Sequence, residues 1–234
     1  MRAAVLYPPL LLNGRIPVLT QSRIFSFTHS RQIRIYPLVM AQAATTLSRA
    51  GVETAWLDGI AAGWDPAEFW RRLEAFRPDL AVLETKVTMI RRHWAFIAEL
   101  KARLPATRVA VVGDHVSYFP AETLRNSPAD FVVPGGDYDA GLAALARHVA
   151  GESPDVPGGV WHRAGGVPAE APGAPPVAEL DTLPWIDREL THWERYGEAY
   201  LHRPAAYILS GRGCGGVKGP GRCSFCIWQY AFWK

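Results

Sequence analysis

Cysteine is nearly absent from this chain: there are three in 234 residues, all between Cys214 and Cys226. Dispersed pairs would frame a secreted, disulfide-stapled domain. One tight cluster points instead to a metal site in a reducing, cytoplasmic compartment. No apolar run approaches the ~20 residues that a membrane-spanning helix needs. The opening MRAAVLYPPLLL is not read as a secretion signal, because Pro8-Pro9 interrupts it and no small-residue cleavage site follows. Runs of lysine and arginine are missing too. The net charge is +3, and the four arginines from Arg15 to Arg34 are scattered, so no nucleic-acid footprint is expected. No G-x-G-x-x-G follows the first predicted strand, and no G-x-x-x-x-G-K-[ST] occurs. These absences exclude the usual dinucleotide and P-loop sites.

What remains is a globular composition, 49% hydrophobic and 20% charged, long enough to bury a sizeable core. The first 150 residues alternate between two periods. Short apolar runs at Ala3–Tyr7, Thr54–Leu57, Leu80–Leu83, Val109–Val112 and Phe131–Val133 read as buried strands. Helical segments separate them. Pro37 opens one that runs to Ala50. Asp65 caps the next with Pro66 at its first position, and Phe69, Leu73 and Phe76 share a face. Ile90, Trp94, Ile97 and Leu104 stripe a third, Pro120 opens a short one, and Leu142, Leu145 and Val149 stripe the last. Five such units predict an α/β fold, a flavodoxin-like, doubly wound five-stranded parallel sheet. Trp56, Trp64, Trp70 and Trp94 are expected in its packing. Residues 151–203 read as a Pro/Gly-rich linker. It encloses a hairpin at Val160–Arg163 turning at Ala164-Gly165-Gly166, and a short helix at Asp187–Tyr196 with Arg188, His192 and Arg195 on a solvated face. Ala205–Leu209 is a further strand, running into the cysteines and opening a third region, residues 204–234.

In a doubly wound sheet, ligands bind outside the carboxyl ends of the strands. Those ends here are Tyr7-Pro8-Pro9, Glu84-Thr85-Lys86, Gly113-Asp114-His115 and Gly135-Gly136-Asp137. Each loop alone is turn and cap chemistry; four on one edge make a candidate ligand site.

The cysteines are spaced C-x8-C-x2-C, as Cys214, Cys223 and Cys226 within Gly211-Arg212-Gly213-Cys214 and Cys223-Ser224-Phe225-Cys226. Thiolates are soft ligands for iron–sulfur clusters or zinc. Three thiolates leave one iron of a cubane open, whereas structural zinc needs a fourth ligand, for which His192 and His202 are candidates. Iron–sulfur, zinc and redox thiols all stay open on spacing alone.

The cysteine stretch resembles the "RGC…CsFC" cluster motif of radical S-adenosylmethionine (SAM) enzymes. Upstream lie Gly113-Asp114-His115-Val116, Pro120-Ala121-Glu122-Thr123-Leu124, Ala129-Asp130-Phe131-Val132-Val133, Gly135-Gly136-Asp137 and Leu180-Asp181-Thr182-Leu183-Pro184. They resemble, in order, the succession found in radical SAM proteins with a cobalamin (B12)-binding domain. The resemblance implies a cobalamin-binding domain over residues 1–150, a linker over 151–203, and the first strand of a (β/α) barrel at Tyr207–Leu209. Pro8, Pro9, Glu84, Thr85, Lys86, Gly113, Asp114, His115, Gly135, Gly136 and Asp137 would then face the cofactor. Cys214, Cys223 and Cys226 would hold a [4Fe-4S] cluster, SAM would chelate its open iron, and Phe225 would pack near the adenine. Reductive SAM cleavage, with methyl transfer from cobalamin to an unreactive carbon, is the implied chemistry, and a reductant protein the implied partner. The first cysteine gap is eight residues where the family has three, and the D-x-H-x-x-G cobalamin motif is absent. A barrel needs on the order of 200 residues, so the resemblance implies the front part of an enzyme, inactive alone. A standalone corrinoid or other ligand-binding module, and a zinc-bound interaction protein, are the alternatives.

Overall fold

The computed structural model describes residues 1–18, 27–28, 33–197, 205–208 and 212. Its elements run β1 (Arg2–Tyr7), β2 (Ile16–Pro17), β3 (Phe27–Thr28), α1 (Leu38–Arg49), β4 (Glu53–Asp58), α2 (Gly59–Ala62), α3 (Pro66–Phe76), β5 (Leu80–Glu84), α4 (Ile90–Arg103), β6 (Arg108–Val112), α5 (Asp114–Tyr118), α6 (Pro120–Asn126), β7 (Phe131–Val132), α7 (Tyr138–Val149), β8 (Trp161–Ala164) and β9 (Val167–Glu170). Among the described residues, seven strands form one sheet in the order β4-β1-β5-β6-β7-β8-β9, and β2 and β3 pair separately. The first five strands are parallel.

The central strands are apolar on both faces because helices cover both. Side chains alternate across a strand, and the two cores follow that alternation. Ala3, Val5, Tyr7, Leu80, Val82, Ala110 and Val112 point toward α1 and α7, against Met40, Leu47, Leu142 and Leu145. Ala4, Leu6, Ala81, Leu83, Val109 and Val111 point to the other face, against Phe69, Leu73, Phe96, Ile97 and Leu100. Asp65 caps α3 as expected, its carboxylate accepting from the Glu68 amide at 2.8 Å. In α4 the buried face is Ile90, His93, Phe96, Ile97 and Leu100. It is rotated from the predicted stripe, leaving Trp94 half-buried.

Three sequence expectations are corrected. The sheet has seven strands rather than five, because the hairpin assigned to the linker joins it. β8 pairs antiparallel with β7, and Gly165 and Gly166, both at positive φ, make the two-residue turn to β9. This covers the edge that β7 would otherwise expose. Arg163 fastens it by donating to the carbonyls of Leu124, Ser127 (2.6 Å) and Ala129, where α6 ends. The sheet therefore continues to Glu170, past the expected boundary at residue 150.

Asp187–Tyr196 is not an α-helix but a run of turns ending in a 3₁₀ segment at Trp193–Arg195. It docks along α1: Gln42 donates to the Pro184 carbonyl at 2.8 Å, and the Asp187 amide to Thr45 Oγ1 at 2.9 Å. Thr45 is fully buried, so tertiary anchoring replaces helical periodicity. Arg188 is accordingly not on a solvated face. Its guanidinium lies 5.7 Å from the ring centres of both Tyr36 and Trp193 and donates to the Tyr207 carbonyl at 2.7 Å. Finally, residues 205–208 lie in no strand among the described residues, and Leu209 falls outside them.

Candidate functional site

The parallel strand order reverses direction at β1, whose neighbours are β4 on one side and β5 on the other. The crevice at the carboxyl ends of β1 and β5 is therefore the topological switch point, where open α/β sheets bind ligands. Tyr7 ends β1 and Glu84 ends β5. Both are buried, and the Tyr7 hydroxyl donates to Glu84 Oε2. Burial pushes the Glu84 carboxyl up to about 7, opposed by the Tyr7 hydrogen bond and Lys86 and reinforced by Asp114 and Asp58. The same burial and the Glu84 charge hold the Tyr7 phenol well above its ordinary range.

A second buried acid sits beside the first. Asp58, at the end of β4, accepts from the Ala61 amide at 2.7 Å and from the Tyr196 hydroxyl at 2.6 Å. Tyr196 in turn accepts from Trp56 Nε1 at 2.9 Å. Burial pushes Asp58 up to about 6 against those hydrogen bonds. The switch point thus holds two carboxyls that exchange protons near neutral pH, a property that concentrates at functional sites.

The predicted loops all arrive at this edge. Pro8 is buried and Pro9 half-buried. With Leu10, Phe69, Trp70 and Phe96 they line a mainly apolar cavity of about 290 Å³. Thr85 is fully buried, its hydroxyl 2.7 Å from His93 Nδ1. Lys86 is half-buried, and Val87 beside it is 67% exposed, putting an apolar group on the rim. Gly113 has φ +121, and a Cβ there would lie 2.1 Å from the Thr85 carbonyl oxygen. Only glycine allows the β5 and β6 loops to approach so closely. Ser117 then ties two loops together, donating to the Gly113 carbonyl at 2.7 Å and accepting from the Gly135 amide at 2.9 Å. Asp114 is half-buried at the start of α5, and its charge is felt by Glu84 and Tyr138. Gly136 is buried.

Two predicted residues are committed to protein partners. His115 Nε2 is 2.8 Å from Glu122 Oε2, and its ring rests on Phe119 at 5.4 Å. Asp137 accepts from Arg212 at 2.8 Å. Cys214, Cys223, Phe225 and Cys226 lie outside the described residues.

Sequence reasoning named Tyr7 only as part of a strand end and Arg212 only as part of the cysteine motif, without a role for either, and it missed Asp58, His93, Asp139 and Tyr196. A polar residue ending an otherwise apolar strand was the available signal for Tyr7 and Asp58. His93 is fully buried in α4 with Nε2 lacking a partner, and desolvation lowers it to about 3, so it is neutral. Its position on the apolar face of α4 carried no separate signal. Tyr196 and Asp139 depend on contacts distant in sequence.

A larger open groove, about 910 Å³, lies at the opposite edge, lined by Asp79, Arg108, Asp130, His148 and His162 among others. Its acids are already engaged: Asp130 by Lys101 and Arg108, Asp79 by the Arg2 amide. It is remote from the strand carboxyl ends. Among the described residues no group of three or more His, Cys, Asp and Glu is placed to hold a metal, and no helix is long and apolar enough to cross a membrane.

No protein-family model matches the sequence, and no curated protein matches it significantly. Solved structures do. One is the radical S-adenosylmethionine methyltransferase TsrM from Kitasatospora setae with tryptophan substrate and the SAM analogue aza-SAM bound. It is 18% identical over 75% of this chain, with a TM-score of 0.54. Another structure of TsrM, with cobalamin and a [4Fe-4S] cluster bound, is 17% identical over 78% of this chain at the same TM-score of 0.54. The chain spans 31% of the length of each. At this identity the likeness is one of fold: a mixed α/β unit with a mostly parallel sheet, shared with part of that radical SAM methyltransferase.

Proposed function

We propose that this chain is the corrinoid-binding part of a B12-dependent radical SAM enzyme, carrying the cysteine motif for its cluster. The observation that carries the reading is the switch-point edge. The parallel strands β4-β1-β5-β6-β7 end there, β1, β6 and β7 in loops rich in proline or glycine, on a fold shared with a methyltransferase whose structure holds cobalamin. The residues present fit such a cofactor. Pro8, Pro9, Gly113 and Gly135 keep bulky side chains off the edge, Val87 offers an apolar flank, and half-buried Lys86 offers a polar group. The donor set Cys214, Cys223 and Cys226 fits a cluster with one open iron.

In this reading the protein's own groups position and insulate. Lys86 would offer a donor to the corrinoid, and the apolar cavity beside Pro8 and Pro9 would take an apolar part of it. Glu84, its carboxyl pushed up to about 7 by burial, can hold a proton at the crevice in place of a charge. By the family resemblance, Phe225 would pack near the adenine of SAM. When bound, the cluster supplies reductive cleavage of SAM, and cobalamin supplies the methyl group. Electrons would come from a separate reductant protein.

Anaerobic reconstitution of the chain with iron and sulfide tests the cluster half of this reading. The expected product holds the iron and sulfide of one [4Fe-4S] cluster per chain, and Cys223→Ser abolishes it. One zinc per chain with no cluster would instead support a zinc-bound interaction module.

A further inference from the structure

We infer that Arg212 is a positioning residue that fastens the chain two residues before Cys214 to the carboxyl edge of the sheet, which would bring the two cofactor sites close together; this rests on the function proposed above. Arg212 belongs to Gly-Arg-Gly-Cys and stands two residues before Cys214. Its guanidinium donates through Nη1 to Asp137 at 2.8 Å and through Nη2 to Asp139 at 2.6 Å. The arginine side chain is 10% exposed and that of Asp139 is 0% exposed. Both ion pairs raise Arg212 against the effect of its burial.

A fully buried carboxylate without a counter-charge is strongly destabilising. Asp139 therefore demands a cation. It lies in the first turn of the 12-residue α7, where the helix dipole favours its negative charge but does not replace a partner. The cation comes from 73 residues along the chain. One planar guanidinium spans two separate carboxylates, which a lysine ammonium does as a point charge without the fork.

The acceptors are themselves fixed. Asp137 follows Gly135, whose amide is held by Ser117, which also holds the Gly113 carbonyl. Arg212 is thus anchored to the loop after β7 and the first turn of α7, and Ser117 ties that loop to the one after β6, on the same edge that the corrinoid reading uses. Two residues of chain span at most about 7 Å, so anchoring Arg212 limits how far the first cysteine can stand from that edge. Nothing in the cluster motif's own chemistry requires this arginine; its partners give it a reason.

The test is electron paramagnetic resonance of the chain carrying both a reduced cluster and cob(II)alamin. The wild-type chain is expected to show mutual broadening of the two signals. Arg212→Gln and Asp139→Asn are expected to lose it while iron content and cobalamin occupancy stay at the wild-type level, and Arg212→Lys to recover part of it. Broadening unchanged in Arg212→Gln would overturn the inference. A wild-type chain that takes up neither cofactor would count against the proposed function instead. The clamp is then judged by amide hydrogen exchange of the cofactor-free chain. Arg212→Gln should speed exchange at least about tenfold in the first turn of α7 and at residues 205–208 and 212. Unchanged exchange there would equally overturn it.

Discussion

Gly113→Ala is expected to destabilise the chain by about 3–5 kcal/mol, a third or more of the stability of an ordinary domain. Two costs add. The backbone at Gly113 has φ +121, which an L side chain rarely adopts. The new methyl would also stand 2.1 Å from the Thr85 carbonyl oxygen and 3.0 Å from the Thr85 amide nitrogen. Thr85 has little freedom to withdraw. Its amide donates to the Val112 carbonyl at 2.9 Å, and its hydroxyl meets buried His93 at 2.7 Å. Relief therefore requires the ends of β5 and β6 to separate. Gly51→Ala is the control: its φ is +84, but nothing lies within 4 Å of the added carbon. It should cost about 1 kcal/mol, the backbone term alone. Urea unfolding of both variants measures the difference, and equal costs would contradict the packing account.

Glu84→Gln is expected to gain stability relative to the wild-type chain by about 3 kcal/mol as pH rises from 5 to 8. Burial raises the folded carboxyl from its ordinary 4.5 to about 7. Between those values the folded state keeps a proton that the unfolded state has released. The stability tied to that proton is complete below about 4.5 and is lost as pH climbs through 7. Glutamine keeps an acceptor for the Tyr7 hydroxyl and cannot ionise, so its stability lacks this slope. Asp58, raised to about 6, and His93, lowered to about 3, have their own pH dependences of opposite sign. His93 is present in each protein and drops out of the comparison, while Asp58, whose charge acts on Glu84, adds a smaller coupled contribution. The difference corresponds to roughly 6–12 °C in relative melting temperature. Parallel melting curves across pH would show that Glu84 titrates as an ordinary exposed acid.

The strands and helices that position the edge were legible because their signals are local. Each buried strand is a short apolar run, and Asp65-Pro66 announces the start of α3. The candidate loops were legible for the same reason, through glycine and proline at the strand ends. What escaped depends on contacts between distant segments. The Gly165-Gly166 hairpin was visible, but its pairing with β7 is set by an open sheet edge that no local pattern encodes. Asp187–Tyr196 has helical spacing, yet Thr45, Gln42 and Tyr36 hold it as turns against α1. His115 and Asp137 read as free polar groups at a binding edge; the fold commits them to Glu122 and Arg212. The proton-holding pair Tyr7–Glu84 requires β1 and β5 to be neighbours, which follows from strand order and not from either sequence segment.

The central claim is that the carboxyl edge of this sheet binds a corrinoid, and a cobalamin titration of the chain tests it most directly. Absorbance and tryptophan quenching report binding, with Trp70 beside the Pro8-Pro9 cavity as a probe. The account predicts saturable, one-to-one binding with a Kd of about 1 µM or tighter, weakened by Gly113→Ala. No binding at ~100 µM cobalamin, a concentration at which even a weak specific site would be half-filled, would contradict it.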